Sequence, residues 1–317
     1  MKVLIIGGVA AGTKTAAKLK REDRSAEVTV VTKSRDISYA GCGLPYYVGG
    51  AIEEESELIV NTPAKFAALT GVNVMTGKEA VAVNAEEKSV KVKDVATGAE
   101  ETLTYDKLVI ATGASPAVPP VKGMELPGVF TMRTPEDAVS VRAYVDANGV
   151  KKAVVVGAGF IGLEVAENLK QKGVTVTVID FASQVLPNLL DPELAAYVKK
   201  HLLKQGIRVI TGTKAEEITG EDKVAGVKTT AGTLNCGLVI MAAGIRPNTA
   251  FLEGTGIEMN KGTILVDSSM KTNLPDVYAA GDCVQVVNRI TGAPQWSPMG
   301  SSANMEGRTL AQDLNGK

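Results

Sequence analysis

The residues of this chain best equipped for chemistry are a cysteine set among glycines, Gly41-Cys42-Gly43-Leu44-Pro45, and two glycine-rich turns. The second turn, Gly157-Ala158-Gly159-Phe160-Ile161-Gly162, follows the apolar run Val154-Val155-Val156 and fills all three glycine positions of a dinucleotide-binding fingerprint. In such a unit the strand ends in a tight turn, and the helix beyond offers free N–H groups to a pyrophosphate. Asp180 closes the next apolar run, about 20 residues on, where a carboxylate accepts both ribose hydroxyls. No arginine follows in Phe181-Ala182-Ser183-Gln184 to meet a 2′-phosphate, so NADH is expected over NADPH. The first turn, Gly7-Gly8-Val9-Ala10-Ala11-Gly12, departs from the pattern: Val9 takes the second glycine position and Thr32 stands where the ribose-binding acid belongs. A threonine hydroxyl holds a ribose less firmly, since charge-assisted hydrogen bonds are about twice as strong as neutral ones. Two such units imply two dinucleotides and electron transfer between them, with Cys42 as the next acceptor.

Pro45 suits the first turn of a helix, which places Cys42 before N–H groups that favour a thiolate. A site with one cysteine stores its oxidised state as a mixed disulphide, a persulphide or a sulphenic acid. Cys236 and Cys283 lie in apolar strand-end contexts and are expected to be inert. A single histidine, His201, leaves little scope for a histidine base or a His-rich metal site.

Bulk properties exclude other classes. At 317 residues the chain has room for about two domains. A formal net charge of −1 gives no reason to expect nucleic acid or an anionic membrane as partner. No apolar run approaches the ~20 residues that span a bilayer. Three widely spaced cysteines make neither a disulphide framework nor a zinc site, so a reducing, cytoplasmic setting is expected.

The elements that must position these residues read as follows. Strand 2–7, helix 11–24 and strand 27–32 form one βαβ unit, followed by an antiparallel meander over 72–103 and a strand ending at Ala111-Thr112-Gly113. A Pro-rich crossover over 116–127 leads to a second unit: strand 153–157, helix 161–172, strand 174–179, helix 192–205 and an alternating region over 207–238. Strand 277–280, turn Gly281-Asp282 and a helix from about Ser301 to Leu314 close the chain. The expected fold is α/β, two Rossmann-like dinucleotide-binding domains with antiparallel β-meander insertions. Residues 1–114 and 245–317 would form the first domain and 115–244 the second.

These motifs together resemble the two-dinucleotide-binding-domain flavoproteins of the pyridine nucleotide–disulphide oxidoreductase class. They resemble most the single-cysteine branch of CoA-disulphide reductase, NADH-dependent persulphide reductase, NADH oxidase and NADH peroxidase. The resemblance implies that the first domain binds FAD, through Gly7, Gly12, Thr32, Lys33, Val81, Thr112, Gly113, Arg133, Asp282, Ser301 and Ala303. It implies that NADH binds through Gly157, Gly159, Phe160, Ile161, Gly162, Glu164, Asp180 and Gly244, with Phe160 as an aromatic gate. Cys42 would be catalytic; Tyr47 stands where dithiol relatives place a second cysteine.

Lys14, Lys18 and Arg21 share one face of the first helix. Spacing alone reads this as a solvated basic face, whereas the resemblance implies a site for CoA phosphates with Ser38 beside it. Peroxide- and oxygen-reducing members place a histidine at the position of Ala10, so its absence points to a sulphur substrate. The expected activity is NADH-dependent reduction of CoA disulphide, CoA persulphide or polysulphide. The alternatives are an NADH oxidase or peroxidase cycling through a sulphenic acid, and an electron-transfer reductase for a small redox protein. Relatives continue past the equivalent of Gly307-Arg308 into a domain that makes them homodimers, so a truncated, monomeric chain is expected here.

Overall fold

The computed structural model describes residues 1–316; Lys317, the last residue of the expected first domain, lies outside the described residues. Seven α-helices occur among them: α1 (Ala10–Glu22), α2 (Leu44–Gly49), α3 (Pro63–Thr70), α4 (Pro135–Ala147), α5 (Phe160–Gln171), α6 (Pro192–Lys204) and α7 (Gly300–Leu314). None of the described helices is long and apolar enough to cross a membrane. The chain divides into two compact units. One gathers Met1–Tyr39, Ile59–Ser115 and the residues from Arg246 on; the other gathers Ala40–Leu58 and Pro116–Ile245.

In the first unit, strand Lys2–Ile6 lies between Glu27–Val31 and Lys107–Ile110, all parallel, with Asn73–Met75 and Val277–Ala279 at the edges. Parallel strands are buried on both faces and so read as unbroken Val/Ile runs. Successive side chains still part company: Val3 and Ile5 pack with Leu19 of α1 and Leu310 of α7, while Leu4 and Ile6 pack with Leu108, Ile110 and Val284. The second unit repeats the plan. Lys152–Val156 lies between Thr175–Ile179 and Leu238–Met241, flanked by Arg208–Ile210 and Val129–Phe130, again all parallel. Val155 packs with Val165 and Leu169 of α5, and Val154 and Val156 pack under the second meander with Ile218 and Val227.

The meanders are three-stranded and antiparallel, Lys78–Asn84, Ser89–Asp94, Glu100–Thr104 in one unit and Ala215–Gly220, Val224–Thr229, Gly232–Asn235 in the other. They begin later than the alternation suggests. Asn73–Met75 and Arg208–Ile210 join the parallel sheets instead, because a three-residue strand is too short to carry a period by which to tell the two apart.

The larger correction concerns residues 40–58, which the sequence reading leaves with the first domain. Leu44, Val48 and Leu58 are almost wholly buried in the core of the second unit, with Ala138, Val141, Val165 and Leu169. Burying three such side chains contributes roughly 1.5–3 kcal/mol each. That packing sets where the segment belongs, and Cys42 goes with it.

Candidate functional site

In the first unit the glycine turn is forced by close backbone approach. Gly7 has φ +118°, and a Cβ there would lie 2.0 Å from the carbonyl oxygen of Ala111. A Cβ on Gly12 would lie 1.9 Å from the carbonyl oxygen of Gly7. The first turn of α1 therefore stands bare, with the unsatisfied N–H groups that any helix start presents. The later motifs converge on it. A Cβ on Gly281 would meet that of Ala11 at 3.1 Å and that of Ala303 at 3.8 Å, and Gly307 packs against the Ala11 carbonyl. The Gly281-Asp282 turn, Ala303 of α7 and the head of α1 are thus one cluster. Ser301 lies exposed one residue into α7.

A cavity of about 110 Å³ opens beside the turn, lined by Gly7, Thr32, Lys33, Ala80 and Thr112 among others. Ordinary ligand sites run from about 300 Å³ upward, so this cavity suits one part of a dinucleotide. Val81, half-buried next to Ala80, is the extra residue of a β-bulge between the pairs Ala80–Val92 and Ala82–Lys91. Lys33 reaches Glu79 at 3.7 Å.

Two further lining residues, Asn248 and Phe251, escaped the sequence reading. The Asn248 carbonyl accepts from the Thr112 hydroxyl at 2.8 Å, and its Nδ2 donates to the Thr112 carbonyl at 3.0 Å. The Asn248 backbone N–H donates to the Gly113 carbonyl at 2.9 Å, and its Oδ1 accepts from Ser115 at 2.7 Å. Asn248 therefore holds the Thr112-Gly113 turn in shape. The only signal for it was an asparagine soon after an apolar strand.

Glu306 is the other residue not foreseen. Its Oε2 accepts the Gly281 N–H at 2.7 Å. Burial pushes its carboxyl above the usual carboxylate range; the Gly281 N–H opposes this and the charge of Asp282 adds to it.

The second unit builds its turn in the same way. Gly157 has φ +117° and would place a Cβ 2.1 Å from the Ala242 carbonyl oxygen; Gly162 would place one 2.0 Å from that of Gly157. Gly159 differs, since its Cβ would meet nothing within 4 Å. Asp180 accepts from the backbone N–H groups of Ala158 at 2.6 Å and Ala182 at 2.7 Å, which fixes its carboxylate beside the turn. Phe160, the first residue of α5, is exposed, and Ile161 and Glu164 follow half-buried. Burial, helped by Glu167, pushes the Glu164 carboxyl up. Gly244 adopts φ +122° and its carbonyl accepts the Ala117 N–H. Arg133, which the resemblance groups with the residues of the first turn, lies in the second unit at the capping box of α4, its N–H donating to Asp137 at 2.7 Å.

Cys42 is exposed in a single 3₁₀ turn, Gly41–Gly43, that runs into α2. Cys236 and Cys283 are buried, and burial pushes both thiols up to about 11. Tyr46, four residues after Cys42, is also exposed, whereas Leu44 and Val48 face the core. The proposed phosphate-binding residues are scattered in condition. Lys18 is engaged by Glu22 on its own helix, Lys14 is half-buried, and Arg21 is exposed. Ser38 sits half-buried in the left-handed region at φ 51°.

Two glycine turns of this build, each with its own parallel sheet and meander, define a two-dinucleotide-binding-domain oxidoreductase. The family model described as pyridine nucleotide-disulphide oxidoreductase matches residues 1–299, and the chain belongs to that family. It is 39% identical over 316 residues to a protein of Methanocaldococcus jannaschii named NADH oxidase, covering all of this chain and 70% of that one. Among solved structures, a NAD-dependent persulphide reductase from A. fulgidus superposes with a TM-score of 0.96 at 39% identity, over 100% of this chain and 60% of that one. Reduced CoADR-RHD of Bacillus anthracis superposes with a TM-score of 0.95 at 34% identity, over 99% and 57%. The chain thus spans about six-tenths of the length of these two solved relatives.

Proposed function

We propose that the protein reduces a low-molecular-weight disulphide or persulphide with NADH, through Cys42. The observation that carries this reading is the contrast among the cysteines: one exposed thiol at the head of a helix, two buried thiols pushed up to about 11. In this reading the first unit holds FAD. The bare start of α1 between Gly7 and Gly12 takes the pyrophosphate, Thr32 and Lys33 take the adenosine end, and the Thr112 and Asp282 turns line the rest. The second unit holds NADH at Gly157–Gly162. Asp180, already anchored by two N–H groups, turns its charge to the ribose hydroxyls and repels a 2′-phosphate.

FAD, when bound, supplies the relay by which a hydride donor delivers two electrons to sulphur. The work of the chain's own residues is at Cys42. Its Sγ attacks one sulphur of the substrate, forming a mixed disulphide and expelling one thiolate. Two electrons from NADH then cleave that bond, returning the Cys42 thiolate and releasing the second thiol. The balance is one disulphide, one NADH and one proton to two thiols and NAD⁺. A persulphide yields one thiol and hydrogen sulphide by the same account.

The name of the Methanocaldococcus jannaschii relative supports a second reading, reduction of oxygen or peroxide. Ala10, with no side-chain acid or base at the head of α1, supports the sulphur reading over it. Steady-state NADH consumption by FAD-loaded protein separates the two. CoA disulphide or polysulphide should drive turnover well above the rate in air; equal or faster turnover with oxygen or peroxide alone would replace the sulphur reading.

A further inference from the structure

Helix α2, which begins two residues after Cys42, has six residues and too few internal hydrogen bonds to hold its own shape. Its far end is gripped by Arg142 of α4. The Nη1 group of Arg142 donates to the carbonyls of Tyr47 at 3.3 Å, Ile52 at 3.1 Å and Glu53 at 2.9 Å. Its guanidinium carbon lies 4.5 Å from the centroid of the Tyr47 ring. The Tyr47 carbonyl belongs to the last turn of α2 and the other two to the segment just beyond. The Tyr47 carbonyl also accepts the Gly50 N–H at 3.2 Å, and the partial negative charge of a helix's last carbonyls draws a cation. In these contacts the guanidinium meets carbonyls and an aromatic face and no carboxylate, so its charge is spent on geometry. A planar, weakly hydrated cation that both stacks and donates does this where lysine would not.

The grip is itself well founded. The start of α4 is fixed by a reciprocal capping box between Thr134 and Asp137, and Val141, next to Arg142, is wholly buried. We infer that Arg142 is a positioning residue for the Cys42 reaction: it sets the pitch of residues 44–53 and thereby where the Cys42 sulphur stands. The inference rests on the reading of Cys42 as the reacting sulphur, and its test keeps the two apart.

Arg142→Ala is compared with the parent protein, both loaded with FAD, in three measurements. The first is the rate at which iodoacetamide alkylates Cys42, followed by mass spectrometry; it needs no assumption about substrate. The second is kcat and KM with CoA disulphide. The third is recovery of kcat on adding methylguanidine. The expected result is an altered Cys42 alkylation rate, a kcat lower by about 10- to 100-fold with KM little changed, and partial recovery with methylguanidine. Unchanged alkylation and kcat, or a loss that methylguanidine does not touch, would overturn the inference. If Arg142→Ala does not yield folded protein, Arg142→Gln is read by the same three measurements. Cys42→Ser runs alongside: sulphur turnover that survives in it defeats the functional reading, while the alkylation comparison still decides the role of Arg142.

Discussion

Gly49 of α2 and Asn168 of α5 touch: a Cβ on Gly49 would lie 2.6 Å from Oδ1 and 2.9 Å from Cβ of Asn168. Asn168 is buried and its Nδ2 donates to the Glu164 carbonyl at 2.8 Å, so the side chain has little freedom to withdraw. Its Oδ1 has no hydrogen-bond partner and faces the glycine. The helix that follows Cys42 is thus seated directly on the helix that follows the second glycine turn. Gly49→Ala should destabilise the protein by about 1–3 kcal/mol through overpacking. Pairing it with Asn168→Ala should cost less than the sum of the two single changes, because Asn168→Ala removes the Oδ1 and Cγ against which the new methyl group is pressed. Denaturant midpoints for the four proteins of this cycle test the contact.

The glycines of the second turn should divide into two kinds. Gly157→Ala drives a Cβ to 2.1 Å from a backbone oxygen at positive φ and should abolish stable folding of the second unit. Gly159→Ala meets open space, so its stability should stay within about 0.5 kcal/mol of the parent, while NADH affinity falls because the backbone can no longer approach the pyrophosphate. Thermal unfolding and NADH titration of the two variants give the comparison. Equal losses of stability would show that the turn tolerates no side chain at either place.

Glu306 should make stability depend on pH. Its folded carboxyl is raised above its ordinary value of 4.5, so between 4.5 and the raised value the folded protein binds more protons than the unfolded one. Stability from this group is therefore greatest below pH 4.5 and declines as pH rises through that window. Glu306→Gln keeps a group able to accept the Gly281 N–H and removes the charge. It should flatten that part of the pH–stability curve and leave the variant the more stable at neutral pH, as read from unfolding midpoints at a series of pH values.

Much of this was legible in the chain because the features are local. The glycine turns, the Val-rich strands and helices α1, α5, α6 and α7 each declare themselves within a short window, and the structure shifts their ends by only a residue or two. What could not be read depends on distant partners. Nothing in Gly41 to Leu58 says that Leu44 and Val48 will bury against Val141 and Leu169 rather than in the unit before them. The clasp of Asn248 on Thr112 and the reach of Arg142 to three carbonyls join residues far apart in sequence, and no spacing announces them. Glu306 is one glutamate of a helix in the sequence, and its tie to the Gly281 N–H joins it to a turn 25 residues earlier.

The central claim is that electrons from NADH end on sulphur held by Cys42, and one half-reaction tests it most directly. FAD-loaded Cys42→Ser is reduced anaerobically with one equivalent of NADH, then mixed with CoA disulphide while flavin absorbance is followed. The account predicts that NADH bleaches the flavin in this variant as it does in the parent, and that the disulphide restores the absorbance in the parent alone. Rapid restoration in Cys42→Ser would contradict it.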